Sequence, residues 1–154
     1  MREAIARARR ALLLDPSNYD ALVLLGTIYS DFDDEKSLAE ALQAYDPAIG
    51  LEPGRFDAYL EKADLFMDQK RHSEALPLAK KGFELALRDE SDPYLLALEY
   101  MTWIRALFEN KRFKEARRAI QDALQACPGK LMSSSADDWL RLIADAEKAK
   151  LVGH

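Results

Sequence analysis

Residues 40–53, Glu-Ala-Leu-Gln-Ala-Tyr-Asp-Pro-Ala-Ile-Gly-Leu-Glu-Pro, contain the spacing that decides the fold of this chain. Tyr45, Ala48 and Pro53 follow the Glu-Ala pair at steps of four, three and five. Steps of four and three keep side chains on one stripe of an α-helix, and a proline beyond the stripe marks the helix end. The same steps recur in Glu3-Ala4 with Ala8, Ala11 and Pro16, in Glu74-Ala75 with Ala79, Gly82 and Leu87, and in Glu115-Ala116 with Ile120, Ala123 and Pro128. The sequence is therefore typical of a repeat array.

A second helical pattern lies between these stripes, in which a large residue is followed by others at steps of three, one and three. Those steps also mark one face of a helix. The pattern occurs as Leu22, Leu25, Gly26, Tyr29; as Tyr59, Lys62, Ala63, Phe66; as Tyr100, Trp103, Ile104, Leu107; and as Trp139, Leu142, Ile143, Ala146. The chain thus alternates two kinds of helix, here called the first and the second helix of a pair.

Both patterns resemble those of the tetratricopeptide repeat family, whose 34-residue unit is a hairpin of two helices. Residues 22–29, Leu-Val-Leu-Leu-Gly-Thr-Ile-Tyr, resemble the motif of its first helix, and residues 113–116, Phe-Lys-Glu-Ala, that of its second. Two of the intervals between Glu-Ala pairs are longer than one unit, and the extra residues fall in turns, where added length has little effect on closure entropy. The resemblance implies an all-α, right-handed solenoid of antiparallel helix hairpins with about eight helices.

We expect a single repeat domain over residues 1–154. Residues 1–17 would form a second helix without its first, residues 18–53, 55–90 and 93–128 would form hairpins, and residues 135–151 would form a C-terminal capping helix. Such a chain is either an excerpt of a longer array or a module capped by its end helices. The stripe of the first segment would then be partly uncovered, which predicts self-association through the N-terminal helix; its residues are Ala4, Ile5, Ala8, Ala11 and Leu12.

Composition narrows the kind of partner. The net charge is -5, and nucleic-acid binding is driven by clustered Lys and Arg, so a nucleic acid is not expected as the partner. No apolar run is long enough for membrane insertion. Cys127 is the only cysteine, which leaves no internal disulfide and fits a reducing, cytoplasmic location.

No catalytic constellation is visible in the sequence. The two histidines, His72 and His154, are not paired at helical spacing for zinc, and no serine lies in a nucleophile elbow. The acidic turn at residues 31–35 lacks the glycine and closing glutamate of a calcium loop. We therefore predict a protein that is not an enzyme and that has no catalytic residue, no cofactor and no metal.

The resemblance implies that the first helices line a concave groove that binds a peptide or a partner's helix. Four apolar residues, Val23, Leu60, Met101 and Leu140, occupy one equivalent position and would form a strip along it, unless neighbouring helices cover them. Acids accompany the strip, and Asp64 and Asp68 lie late in their helix, where the helix dipole does not favour them. The predicted groove residues are Val23, Thr27, Asp57, Leu60, Asp64, Met67, Asp68, Met101, Arg105 and Phe108.

Charge at the inner positions predicts the kind of ligand. Family members that hold a free C-terminal carboxylate use Lys, Arg and Asn there, but the matching places in this chain are Thr27, Glu61, Asp64, Leu98 and Thr102. An anionic ligand would face carboxylates at close range, so we predict an interaction scaffold for a protein or peptide segment that is basic and amphipathic. Two alternatives are a regulatory segment of a larger enzyme or assembly and a nucleic-acid-binding helical repeat.

Overall fold

The computed structural model describes residues 1–32, 34–89, 93–127 and 130–152. These residues form eight α-helices and no strand, which confirms the predicted all-α class. The helices are α1 (Arg2–Leu14), α2 (Tyr19–Ser30), α3 (Glu35–Leu51), α4 (Asp57–Asp68), α5 (His72–Ala86), α6 (Pro93–Glu109), α7 (Phe113–Ala126) and α8 (Lys130–Val152).

Successive helices pack as two layers. The first helices α2, α4, α6 and α8 each contact the next first helix along the chain, whereas within the described ranges no second helix contacts another second helix. Each second helix packs only on the first helices beside it in sequence. The first helices therefore form a continuous inner layer, as an α-solenoid requires.

The stripe of small residues lies where the helices of a pair meet. Ala41, Ala75 and Ala116, which follow the glutamates of the repeated pairs, are fully buried. On the first-helix side Gly26 packs against the ring of Tyr45, and a Cβ atom added to Gly26 would lie 2.4 Å from Tyr45 Cε1. A residue without a side chain is thus needed at position 26 because the Tyr45 ring lies directly against the backbone of α2.

Side chains cap the helices that follow the first two turns. The carboxamide oxygen of Asn18 accepts a hydrogen bond from the Ala21 backbone N–H at 2.9 Å, and Asp34 accepts one from Ser37 N–H at 3.0 Å. Such caps satisfy amide groups that have no partner within the helix. The last helix differs from the prediction because it begins at Lys130, so Ser135 lies inside it and does not start it.

The N-terminal helix α1 packs on α2 alone among the helices of the described ranges. Ala8 is buried in this contact, whereas Ile5 and Leu12 are only partly buried. The guanidinium of Arg9 donates a hydrogen bond to the Tyr29 hydroxyl at 2.6 Å, which adds a polar contact at the same junction. Self-association through this helix stays a prediction.

Two hairpin turns share an unusual backbone conformation. Lys70 and Lys111 both have φ of 59°, in the left-handed region. The Lys111 N–H bonds to the Phe108 carbonyl at 2.8 Å and the Arg112 N–H to the Leu107 carbonyl at 2.9 Å, which is the Schellman arrangement. Glycine normally occupies this position because its lack of a Cβ atom removes the strain.

Replacing Lys111 with glycine is therefore expected to stabilise the chain. Relief of the left-handed strain should raise the free energy of unfolding by about 0.5–1 kcal/mol. The matched control is Lys114→Gly at an exposed position of helix α7, where the same change should lower the free energy of unfolding by about 1 kcal/mol. Urea unfolding followed by circular dichroism measures both, and two changes of the same sign would contradict the explanation.

Candidate functional site

The inner layer contains an acidic cleft between α4 and α6. Its volume is about 260 Å³. Apolar side chains and the Thr102 hydroxyl alternate with four carboxylates around it, and its lining residues are Phe56, Asp57, Leu60, Glu61, Asp64, Leu98, Glu99 and Thr102. Three of the predicted groove residues line the cleft: Asp57, Leu60 and Asp64. The other lining residues include Glu61, Leu98 and Thr102, which match positions of the family's carboxylate clamp.

Asp57, at one end of the cleft, already has a cationic partner. Arg55 Nε lies 3.2 Å from Asp57 Oδ2, and Arg55 Nη1 lies 2.9 Å from Asp20 Oδ1. The Arg55 guanidinium also stacks over the Tyr19 ring, 3.9 Å from its centroid. One arginine therefore bridges two carboxylates on successive first helices and is held by an aromatic face.

Asp64, at the other end, is paired in a similar way. Its carboxylate accepts hydrogen bonds from Thr102 Oγ1 at 3.0 Å and from Arg105 Nη1 at 3.3 Å, and Arg105 also pairs with Asp68. Burial raises the pKa of Asp64, although Thr102 and Arg105 act in the opposite direction. These partners explain two acids that the helix dipole does not favour, so the argument for a ligand based on Asp64 and Asp68 needs correction.

Glu61 is held by hydroxyl groups in place of a cation. Thr27 Oγ1 donates to Glu61 Oε2 at 3.2 Å, and the Tyr45 hydroxyl lies 3.4 Å from the same oxygen. Burial raises the pKa of Glu61, and the nearby charges of Asp64 and Asp57 add to the effect. Thr27, which belongs to the predicted groove, thus positions the Glu61 carboxylate and does not itself line the cleft.

Glu99 is the least compensated carboxylate of the cleft. Only 8% of the residue is exposed, and its Oε2 atom has no hydrogen-bond partner among the described residues. Burial raises the pKa of Glu99 and the charge of Asp57 adds to the effect, while a hydrogen bond from its own backbone N–H acts in the opposite direction. The sequence analysis missed this residue, although Glu99 is the only acid between Pro93 and Phe108 and so stands out in an apolar helix.

The residues of the predicted apolar strip and their neighbours differ in exposure. Val23 and Met101 are half-buried, whereas Leu60 is buried against Gly82 of α5 and reaches the cleft with one side. Met67 is 2% exposed and lies in the core, so it cannot seat a partner. Phe108 packs on the rings of Phe113 and Trp139, with centroids 5.6 and 5.4 Å away.

The carboxylates of the cleft are not arranged as metal ligands. Within the described ranges, no three His, Cys, Asp or Glu side chains converge closely enough to hold a metal ion. None of the described helices combines the length and the apolar character needed to cross a membrane.

Comparisons with known proteins support the fold. A family model described as "Tetratricopeptide repeat" matches residues 30–82, and no curated protein matches the sequence. The N-terminal domain of stress-induced protein-1 (STI-1) from C. elegans superposes with a TM-score of 0.64 at 20% identity, over 79% of this chain and 93% of that domain. A MamA RS-1 ArsTM double mutant gives 0.66 at 17% identity, over 97% and 86% of the two chains, and a second structure of MamA gives 0.51 at 19%, over 96% and 88%. Residues 30–82 therefore match the tetratricopeptide repeat family, and the eight described helices, in solenoid order, share the fold of these structures.

Proposed function

We propose that this chain is an interaction scaffold whose inner layer binds a basic, amphipathic segment of a partner protein. Tetratricopeptide repeats serve in general as scaffolds for protein–protein interaction. The finer assignment, to a basic segment, rests on the charge around the acidic cleft.

An excess of carboxylates around the cleft carries this proposal. The described residues place six carboxylates and two guanidinium groups at and beside the cleft, so six negative charges stand against two positive ones when all are ionised. The acids are Asp20, Asp57, Glu61, Asp64, Asp68 and Glu99, and the bases are Arg55 and Arg105. A surface of one sign raises the local concentration of ligands of the other sign and disfavours like-charged ones. The surplus charge therefore favours a cationic partner.

Apolar contacts at the same place favour an amphipathic partner over a purely basic one. Leu98 at the cleft is 41% exposed, and Met101 and Val23 are half-buried along the inner layer. Apolar residues beside a few polar groups are typical of peptide-binding surfaces.

Selection from an unbiased peptide library on the intact chain tests the proposal. We expect enrichment of segments that combine Lys or Arg with apolar residues at helical spacing. Enrichment of acidic segments, or no enrichment of any class, would rule the proposal out.

A single substitution then locates the binding surface. Leu98→Arg places a positive charge among the carboxylates of the cleft, so we expect at least tenfold weaker binding of a selected peptide, measured by fluorescence anisotropy. Leu124→Arg is the control, because Leu124 lies on second helix α7 and is exposed to a similar degree, 38%. Its affinity should stay within about twofold; equal losses in both variants would place the peptide elsewhere.

A further inference from the structure

We propose that the acidic cleft is a pocket for one guanidinium group, the side chain of an arginine in the bound segment. This inference deepens the proposed function and rests on it for its biological setting. The site itself can be tested without any peptide.

The carboxylate of Glu99 indicates that the cleft binds a positively charged group from outside the chain. A carboxylate shielded from water is normally paired or hydrogen-bonded, because burying an isolated charge is unfavourable. Glu99 is more than nine-tenths buried, lines the cleft, and has no hydrogen-bond partner for Oε2 in the part of the chain that the structure describes. Glu61, on the opposite wall, has hydroxyl donors but no cation within ion-pairing distance among the described residues. Two of the four carboxylates therefore remain without a countercharge.

The neighbouring contacts show what fits between them. On one side Arg55 bridges Asp20 and Asp57, and on the other side Arg105 bridges Asp64 and Asp68. Both arginines engage two carboxylates at once, which uses the fork of N–H donors in a guanidinium. The cleft between them is lined by two further carboxylates, those of Glu61 and Glu99, and neither pairs with an arginine among the described residues.

The length and lining of the cleft favour an arginine over a metal ion or an ammonium. Its ends, Asp57 and Asp64, are seven residues apart on α4, a rise of about 10 Å, which leaves room for a guanidinium and its stem. A metal ion needs its oxygen ligands within about 2.6 Å, and an ammonium is a compact charge. A planar guanidinium can donate in several directions, and the walls at Phe56, Leu60 and Leu98 suit its weakly hydrated faces and its aliphatic stem.

Titration of the isotope-labelled full chain with N-acetyl-arginine methylamide tests the pocket. We expect saturable amide shifts in two-dimensional NMR spectra, confined to the residues that line the cleft. N-acetyl-citrulline methylamide has the same shape without the charge and should bind at least tenfold more weakly. The lysine derivative should also be weaker, because it offers fewer donors. Shifts that do not saturate, or equal responses to arginine and citrulline, would overturn the inference.

Neutral variants separate recognition from a structural role. Glu99→Gln and Glu61→Gln keep the size of the side chain, and each should weaken arginine binding at least fivefold. Glu84→Gln, at an exposed position of second helix α5, should leave the affinity unchanged. If both cleft variants bind the arginine derivative as well as the unmodified chain does, the assignment is wrong.

Thermal stability gives a second readout from the same variants. The pKa of Glu99 is raised by burial and by Asp57, with Cys127 as a further titratable neighbour beyond α7. Ionisation of Glu99 therefore opposes folding. The protonated carboxyl group stabilises the folded chain below the ordinary pKa of glutamate, and this stabilisation is lost as the pH rises through the raised pKa of the folded state. Glu99→Gln should raise Tm by about 2–4 °C at pH 7 and leave it unchanged in acid. A lower Tm at pH 7 would mean that Glu99 is satisfied in the free chain, which would overturn the inference.

The proposed function and the pocket can fail separately. A selected basic peptide that binds the chain but gives no shifts at the cleft residues would refute the arginine pocket and leave the scaffold function standing. If an arginine derivative saturates the cleft but no basic peptide is ever selected, the pocket stands and the proposed scaffold function is refuted.

Discussion

Substitution of Gly26 by alanine is expected to lower the free energy of unfolding by about 1–3 kcal/mol, although alanine is the better helix former. The added Cβ atom would lie 2.4 Å from Cε1 and 2.7 Å from Cζ of Tyr45, whose ring is fully buried and cannot withdraw into solvent. The pair α2 and α3 must therefore separate or the ring must leave its preferred rotamer. Chemical unfolding followed by circular dichroism measures the loss.

Gly50 provides the matched control for this prediction. It lies in helix α3, and an added Cβ atom meets nothing within 4 Å. The same change from glycine to alanine should there stabilise the chain by up to about 1 kcal/mol. Equal effects at the two positions would show that backbone propensity, and not the contact with Tyr45, governs Gly26.

A double-mutant cycle isolates the contact itself. In a Tyr45→Leu background the ring is absent, so Gly26→Ala should no longer be destabilising. The two substitutions are then strongly non-additive, as expected for side chains in direct contact. Additive effects would mean that Gly26 is required for another reason.

Truncation of Ile143 to alanine is expected to have the second large effect, a loss of about 2–5 kcal/mol. Ile143 on α8 is 0% exposed and belongs to a core cluster with Ile104, Leu107 and Ile120. Helix α8 contacts only α6 and α7 among the helices of the described ranges, so few other contacts hold it. Because few contacts hold α8, the loss should appear first as faster hydrogen exchange of α8 amides.

The neighbouring residue Leu142 is the control for Ile143. Leu142 is 49% exposed, and Leu142→Ala should change stability by less than about 0.5 kcal/mol. If both substitutions destabilise to the same extent, α8 is held by features other than the packing of Ile143.

The fold could be predicted because its signal is local. A stripe such as Ala41, Tyr45 and Ala48 lies within two helical turns, and close packing of paired helices requires small residues at some of these positions. Four copies of the pattern in register fix the alternation of helices. The start of α8 was predicted less well, because a Ser-x-x-Asp sequence at residues 135–138 is compatible with the interior of a helix as well as with its beginning.

The candidate site could be predicted only in part, because its partners are distant in sequence. Arg105 pairs with Asp64 and Asp68 across 41 and 37 residues, and no local pattern connects them. Their charges looked available when the sequence was considered alone, yet Arg105 compensates them in the folded chain. The burial of Glu99 and Met67 likewise depends on where neighbouring helices lie, which spacing along one helix does not determine.

The two layers of this array differ in how they can deform. Contacts run without interruption along the inner helices, whereas the outer helices are linked only through them. A change of curvature must therefore alter the spacing of neighbouring first helices, such as α4 and α6, while second helices can move apart without breaking contacts among themselves. A segment that binds between α4 and α6 and increases their spacing would straighten the solenoid. Binding at one small cleft would then change the length and shape of the whole array.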